Sequence, residues 1–155
     1  MSGARSAIRL AISTCPNDTF AFHAILQKKI DLGGLDLQIQ LLDIQQLNDG
    51  LQCNRFDVAK ASFHAAISMA DDLLVLPSGS ALGFGVGPLL LSSTANARPD
   101  RAPKNRTTTT LCPGELTTAT LLFKLFYPAA LELGQTRIEH AVFSDIMPAL
   151  KSPKK

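Results

Sequence analysis

The chain has 155 residues, 46% of them hydrophobic and 18% charged, with a mean hydropathy of +0.14 and a formal net charge of +2. That length fits one compact domain or two small lobes burying roughly 70% of their unfolded surface, and so aliphatic a composition excludes a disordered tail or a collagen-like rod. The 15 basic residues are partly scattered, dense only at Pro99 to Arg106 and in the last five positions, which argues against a nucleic-acid partner.

Cys15, Cys53 and Cys112 are odd in number and lack CxxC or Cys/His pairing, so neither a disulfide framework nor a metal site is expected. Arg9 breaks the apolar stretch that a signal peptide needs, and no run approaches 18 apolar residues. A cytoplasmic chain with no membrane span is the expectation.

In chain order, Ile8, Leu10 and Ile12 alternate with Arg9 and Ala11, predicting a first strand over Ala7 to Ser13. After Thr14-Cys15-Pro16, Asn17 or Asp18 can cap a helix carrying Phe20, Phe22, Ile25 and Leu26 and ending near Lys28-Lys29. Leu35 to Leu41 alternates as a second strand, Ile44 to Gln52 reads as a short helix, and Phe56 to Ala61 as a strand. Phe63 to Met69 is a further helix with Ser62 at its cap, and Leu73 to Leu76 a short buried strand. Pro77 to Pro88 holds four glycines and reads as a hinge, because a lone GxGxG with no following GKS or GKT is weak evidence of a nucleotide site. Leu89 to Ser92 resumes as strand, Ser93 to Arg106 is the best linker, Thr107 to Leu111 is strand-like, and Thr117 to Tyr127 is an apolar helix. Ile138 to Phe143 reads as the next strand and Asp145 to Leu150 as the first turn of a helix. This βα alternation is the rhythm of an α/β fold.

Three strings carry chemistry. The turn Ser13 to Phe20 crowds hydroxyl, amide and carboxylate groups between a strand end and a helix start, where open α/β sheets bind ligands; periodicity alone favours a simple capped turn, with Pro16 fixing entry to the helix. Cys15 there is a nucleophile candidate with no base indicated. Ser62, with Lys60 two residues before it, is either an N-cap or a group pointing out of a strand end. Pro113 to Ala119 offers two hydroxyls and free backbone N–H groups suited to a carboxylate, or a plain helix start. His23, His64 and His140 read as packed or surface histidines.

In order, Ser13-Thr14-Cys15-Pro16-Asn17-Asp18-Thr19-Phe20, Ser78-Gly79-Ser80-Ala81-Leu82-Gly83-Phe84-Gly85-Val86-Gly87-Pro88-Leu89 and Pro113-Gly114-Glu115-Leu116-Thr117-Thr118-Ala119 resemble the 1,4-dihydroxy-6-naphthoate synthase family of the futalosine route to menaquinone. Phe143 to Pro148 supports the match downstream. The resemblance implies a two-lobed fold of the periplasmic binding protein type II kind, with residues 1–92 in the first lobe, 93–106 as hinge and 107–155 opening the second. It also implies conversion of cyclic dehypoxanthine futalosine to 1,4-dihydroxy-6-naphthoate without metal or organic cofactor. By the match of motifs, Asn17, Asp18 and Thr19 line the cleft, Ser62 contacts substrate from lobe one, and Thr118 with the Ala119 backbone holds an acidic group from lobe two.

Against that family the chain reads as a C-terminally truncated member, with lobe one lacking its C-terminal part and lobe two only begun. The segment carrying the family's proposed histidine base has no counterpart, so no catalytic residue is assigned to His23, His64 or His140. An impaired or inactive enzyme that self-associates through uncovered apolar surface is the resulting expectation. The alternative is a non-catalytic module binding small carboxylates.

Overall fold

A computed structural model describes residues 7–102 and 106–151. The N-terminal stretch before Ala7, part of the expected linker (103–105) and the terminal Ser-Pro-Lys-Lys lie outside the described residues. The chain divides into two compact units, one running to Gly79 and the other from Ser80.

In the first unit, β1 (Ile8–Ser13) is the middle strand of a three-stranded parallel sheet, flanked by β2 (Leu37–Leu42) and β3 (Val58–Ala59). Ile8 pairs with Leu37 and Ser13 with Leu42, while Leu10 and Ala11 pair with Val58 and Ala59. The ladder continues past β3 at both ends, where Asp57 N–H donates to Arg9 O at 3.0 Å and Lys60 N–H to Ala11 O at 2.9 Å. Being central explains why Leu10 to Ser13 are all buried, whereas edge strand β2 alternates from Leu37 to Gln40 and then breaks step, leaving Leu41 exposed and Leu42 half-buried.

The expected single helix after β1 is two, α1 (Pro16–Ala21) and α2 (His23–Leu26), both ending before Lys28. Its cap is Cys15, not Asn17 or Asp18. Proline supplies no N–H and holds φ where a first helical residue needs it, so Pro16 takes the first position and the cap falls on the residue before it. Helix α3 (Ile44–Gln52) keeps its expected bounds because a capping box closes it locally: Gln45 N–H donates to Asp43 Oδ1, and Asp43 N–H to Gln46 Oε1, both at 3.0 Å. Its buried face, led by Leu47, packs with Ala11 and Phe56 to form the core of this unit. Helix α4 (Phe63–Ser68) follows β3.

Two expected strands are absent. Leu73 to Leu76 and Leu89 to Ser92 form no ladder, and Leu74, Val75, Leu89 and Leu91 are exposed. A strand exists by its neighbour, and hydrophobicity without a ladder partner leaves irregular chain. The glycine-rich stretch between them turns, with Gly79 at φ +80° and Gly85 at φ +66°.

In the second unit, β4 (Thr108–Cys112) and β5 (Thr136–His140) pair in parallel, Thr108 opposite Thr136 and Cys112 opposite His140. Between them run α5 (Thr118–Phe126) and α6 (Pro128–Glu132). Pro128 ends the first by disfavouring helical backbone at Tyr127 and opens the second. The strand expected over Ile138 to Phe143 stops at His140, because Val142 turns the chain, its carbonyl accepting from Asp145 N–H at 2.8 Å; α7 (Phe143–Lys151) begins there.

Candidate functional site

Because the strands of the first sheet are parallel, the segments leaving β1 and β3 emerge on one edge, and side chains that sequence separates meet there. Asp18, in the first turn of α1, is buried and folds back over the end of β1: its Oδ2 accepts from Ser13 N–H at 3.1 Å. Its Oδ1 lies 3.2 Å from Lys60 Nζ, which reaches from the end of β3 and also donates to the Gly79 carbonyl at 2.8 Å. Asp18 is thus one arm of a clamp tying α1, β3 and the turn at Gly79 together. Asn17 beside it is exposed, and Thr19 spends its hydroxyl on the carbonyls of Cys15 and Pro16, each at 3.3 Å.

Ser62 follows Lys60 on the same edge. It occupies the N-cap position of α4, but its side chain makes no capping bond. Instead Asn48, wholly buried on α3, grips it twice: Asn48 Nδ2 donates to Ser62 Oγ at 3.2 Å, and Ser62 N–H donates to Asn48 Oδ1 at 3.1 Å. The pair fixes the hydroxyl at the end of β3. Sequence reading noted Lys60 only as a strand-end neighbour and passed over Asn48. The signal for Asn48 was an amide at helical spacing among Ile44, Leu47 and Leu51 on an apolar face, a place where a polar side chain needs a reason.

The second unit builds the turn before α5. Gly114, at φ +150°, presents its carbonyl to two buried hydroxyls, Thr117 Oγ1 at 2.8 Å and Thr120 Oγ1 at 2.6 Å. Thr117 also caps the helix, accepting from Thr120 N–H. Thr118 and Ala119, both half-buried, are the first two helical residues, whose N–H groups no carbonyl of their own helix can reach. Those donors at a positive helix end suit an anionic oxygen.

Elsewhere the chemistry is quieter. Burial pushes the Cys112 thiol up, against a hydrogen bond with Thr120, so it stays protonated at neutral pH. Cys15 and Cys53 are exposed, as are His23 and His140. Among the described residues no group of three or more His, Cys, Asp or Glu side chains gathers, and no helix is long and apolar enough to cross a membrane.

Fold and edge together define an α/β protein whose polar groups collect at the carboxyl ends of parallel strands, the place where such sheets take ligands. The chain belongs to the menaquinone biosynthesis family, whose profile matches residues 8–155. It is 35% identical over 147 residues to 1,4-dihydroxy-6-naphthoate synthase of Streptomyces coelicolor, covering 95% of this chain and 50% of that protein. With the synthase of the same name from Thermus thermophilus it shares 38% identity over 86 residues, 56% of this chain and 31% of that one. The crystal structure of protein AF1704 from Archaeoglobus fulgidus matches with a TM-score of 0.77 at 26% identity, over 95% of this chain and 51% of that one. The chain spans about half the length of the curated relatives it matches.

Proposed function

We propose that this chain serves as a 1,4-dihydroxy-6-naphthoate synthase, a lyase turning cyclic dehypoxanthine futalosine into 1,4-dihydroxy-6-naphthoate in menaquinone biosynthesis. The observation that carries the reading is the 35% identity to the Streptomyces synthase across 95% of the chain, a span holding nearly all of both polar clusters. On this reading the fold is of the two-lobed periplasmic binding protein type II kind, residues 1–92 contributing to one lobe, 93–106 to the hinge and 107–155 to the other. The protein works in the cytoplasm and needs neither metal nor organic cofactor.

The residues divide the labour. Lys60 and Asp18 hold the carboxyl edge of the first sheet in one arrangement, and Ser62 presents a hydroxyl beside them. Thr118 and the Ala119 N–H hold an acidic group of the substrate, as the unsatisfied donors opening α5 favour. Asn17 and Thr19 complete the polar turn. No residue is assigned as the base that removes the proton. The non-catalytic carboxylate-binding reading has no observation of its own, since it draws on the same Ser62, Thr118 and Ala119.

Calorimetric titration of the purified chain with cyclic dehypoxanthine futalosine, with the naphthoate product followed by mass spectrometry, tests the proposal. Saturable binding, weakened by Ser62→Ala and by Thr118→Ala, is the expected result. A chain that neither binds the cyclic compound nor forms product overturns it.

A further inference from the structure

We infer that Asn48 sets the direction of the Ser62 hydroxyl, making it a donor toward the ligand, so that Ser62 selects an acceptor oxygen (carboxylate or carbonyl) and Asn48 is its positioning residue. This rests on the reading of Ser62 as a substrate contact. The orientation of the Asn48 amide is dictated by the backbone: Ser62 N–H can only donate, so the atom 3.1 Å from it is the amide oxygen and the atom 3.2 Å from Ser62 Oγ is the amide nitrogen. That nitrogen too can only donate. The hydroxyl oxygen therefore accepts, and its own proton must point elsewhere; among the described residues no acceptor takes it.

Energetics agree with a purpose. Asn48 is 0% exposed beside Leu47, in a position where leucine would cost no desolvation, and Ser62 is only 9% exposed. A serine with a free proton at the end of β3, its other atoms already engaged, matches a ligand oxygen and mismatches a ligand N–H or O–H donor.

Asn48→Asp tests this because it preserves shape and inverts polarity. Ionised, the introduced carboxylate can only accept; it takes Ser62 N–H with one oxygen and the hydroxyl proton with the other, removing the donor from the ligand. Protonated, it donates as the amide does and restores it. Titration of the full chain with cyclic dehypoxanthine futalosine near pH 8 should show affinity about tenfold lower than wild type. Asp43 capping α3, Asp49 on α3, Arg9 on β1, Lys60 and Asp18 at the sheet edge and His64 on α4 are present in both proteins, so the variant-to-wild-type ratio is what is read. In a Ser62→Ala background the same substitution should change affinity less than about twofold. An Asn48→Asp chain, folded by circular dichroism, that binds like wild type near pH 8 overturns the inference, as does a deficit of the same size in the Ser62→Ala background.

A second measurement needs no ligand and separates this inference from the proposed function. If the wild-type chain fails to bind the cyclic compound, the functional reading fails. The Asn48 carboxamide protons, followed by nitrogen-edited NMR, should still shift and exchange faster with water in Ser62→Ala. Unchanged Asn48 resonances there overturn the inference, whether or not Asn48→Asp folds.

Discussion

Asp18 is buried with two partners, and what each contributes follows from what is left when one is removed. Lys60→Met strands a buried carboxylate and costs about 2 kcal/mol, since Lys60 is itself partly exposed and water can reach the gap. Asp18→Asn keeps an acceptor for Ser13 N–H, so the double variant should lose less than the sum of the singles in a urea cycle; strict additivity would show that the 3.2 Å pair is not coupled. The exposed pair Arg9 and Asp57 responds to pH instead. The Arg9 side-chain bonds, then its backbone N–H, hold the Asp57 carboxyl down at about 2. Its folded pKa lies below the unfolded one, so its contribution is present above about pH 4 and disappears as pH falls toward 2. The urea midpoints of wild type and Asp57→Asn should differ at neutral pH and converge across that window. At this scale the sequence displayed Asp18, Lys60 and Ser62 as polar residues at strand ends, but it could not display their partners, because the parallel register brings β3 beside β1 from the far side of α3.

Helix α3 shows how far local rules reach. Its bounds were legible because Asp43 and Gln46 satisfy each other across one turn, without help from the rest of the molecule. Its glycine was not. Gly50 sits where a Cβ would fall on the Phe56 ring, so Gly50→Ala, worth about 1 kcal/mol in an isolated helix, should instead destabilise by roughly 1–3 kcal/mol through displacement of Phe56. Thermal melts decide the sign. At the start of α5, Thr120→Val conserves shape but removes the 2.6 Å bond to the Gly114 carbonyl, for a loss of about 1 kcal/mol and weaker protection of the turn in hydrogen exchange. Where local rules misled, the cause was a missing neighbour: Leu73 to Leu76 and Leu89 to Ser92 have strand composition and no strand beside them.

Over the molecule as a whole, Phe20, Phe84, Leu125, Phe126, Phe143 and Leu133 are large apolar side chains left in solvent. Surface of that kind favours association, and sedimentation velocity across a dilution series should show a mass that rises with concentration; a monomer at every concentration would remove the expectation. The alternation of βα units, the cap of α3 and the ordered motifs of the menaquinone biosynthesis family were all determined by the sequence itself, because each depends on residues within a turn or a strand of one another. The tertiary structure alone decided which apolar runs became strands, that Asp18 faces Lys60, and that Asn48 holds Ser62. Those outcomes depend on which segments lie side by side, and hydrogen bonds and ion pairs between distant residues form only once the sheet has set that adjacency.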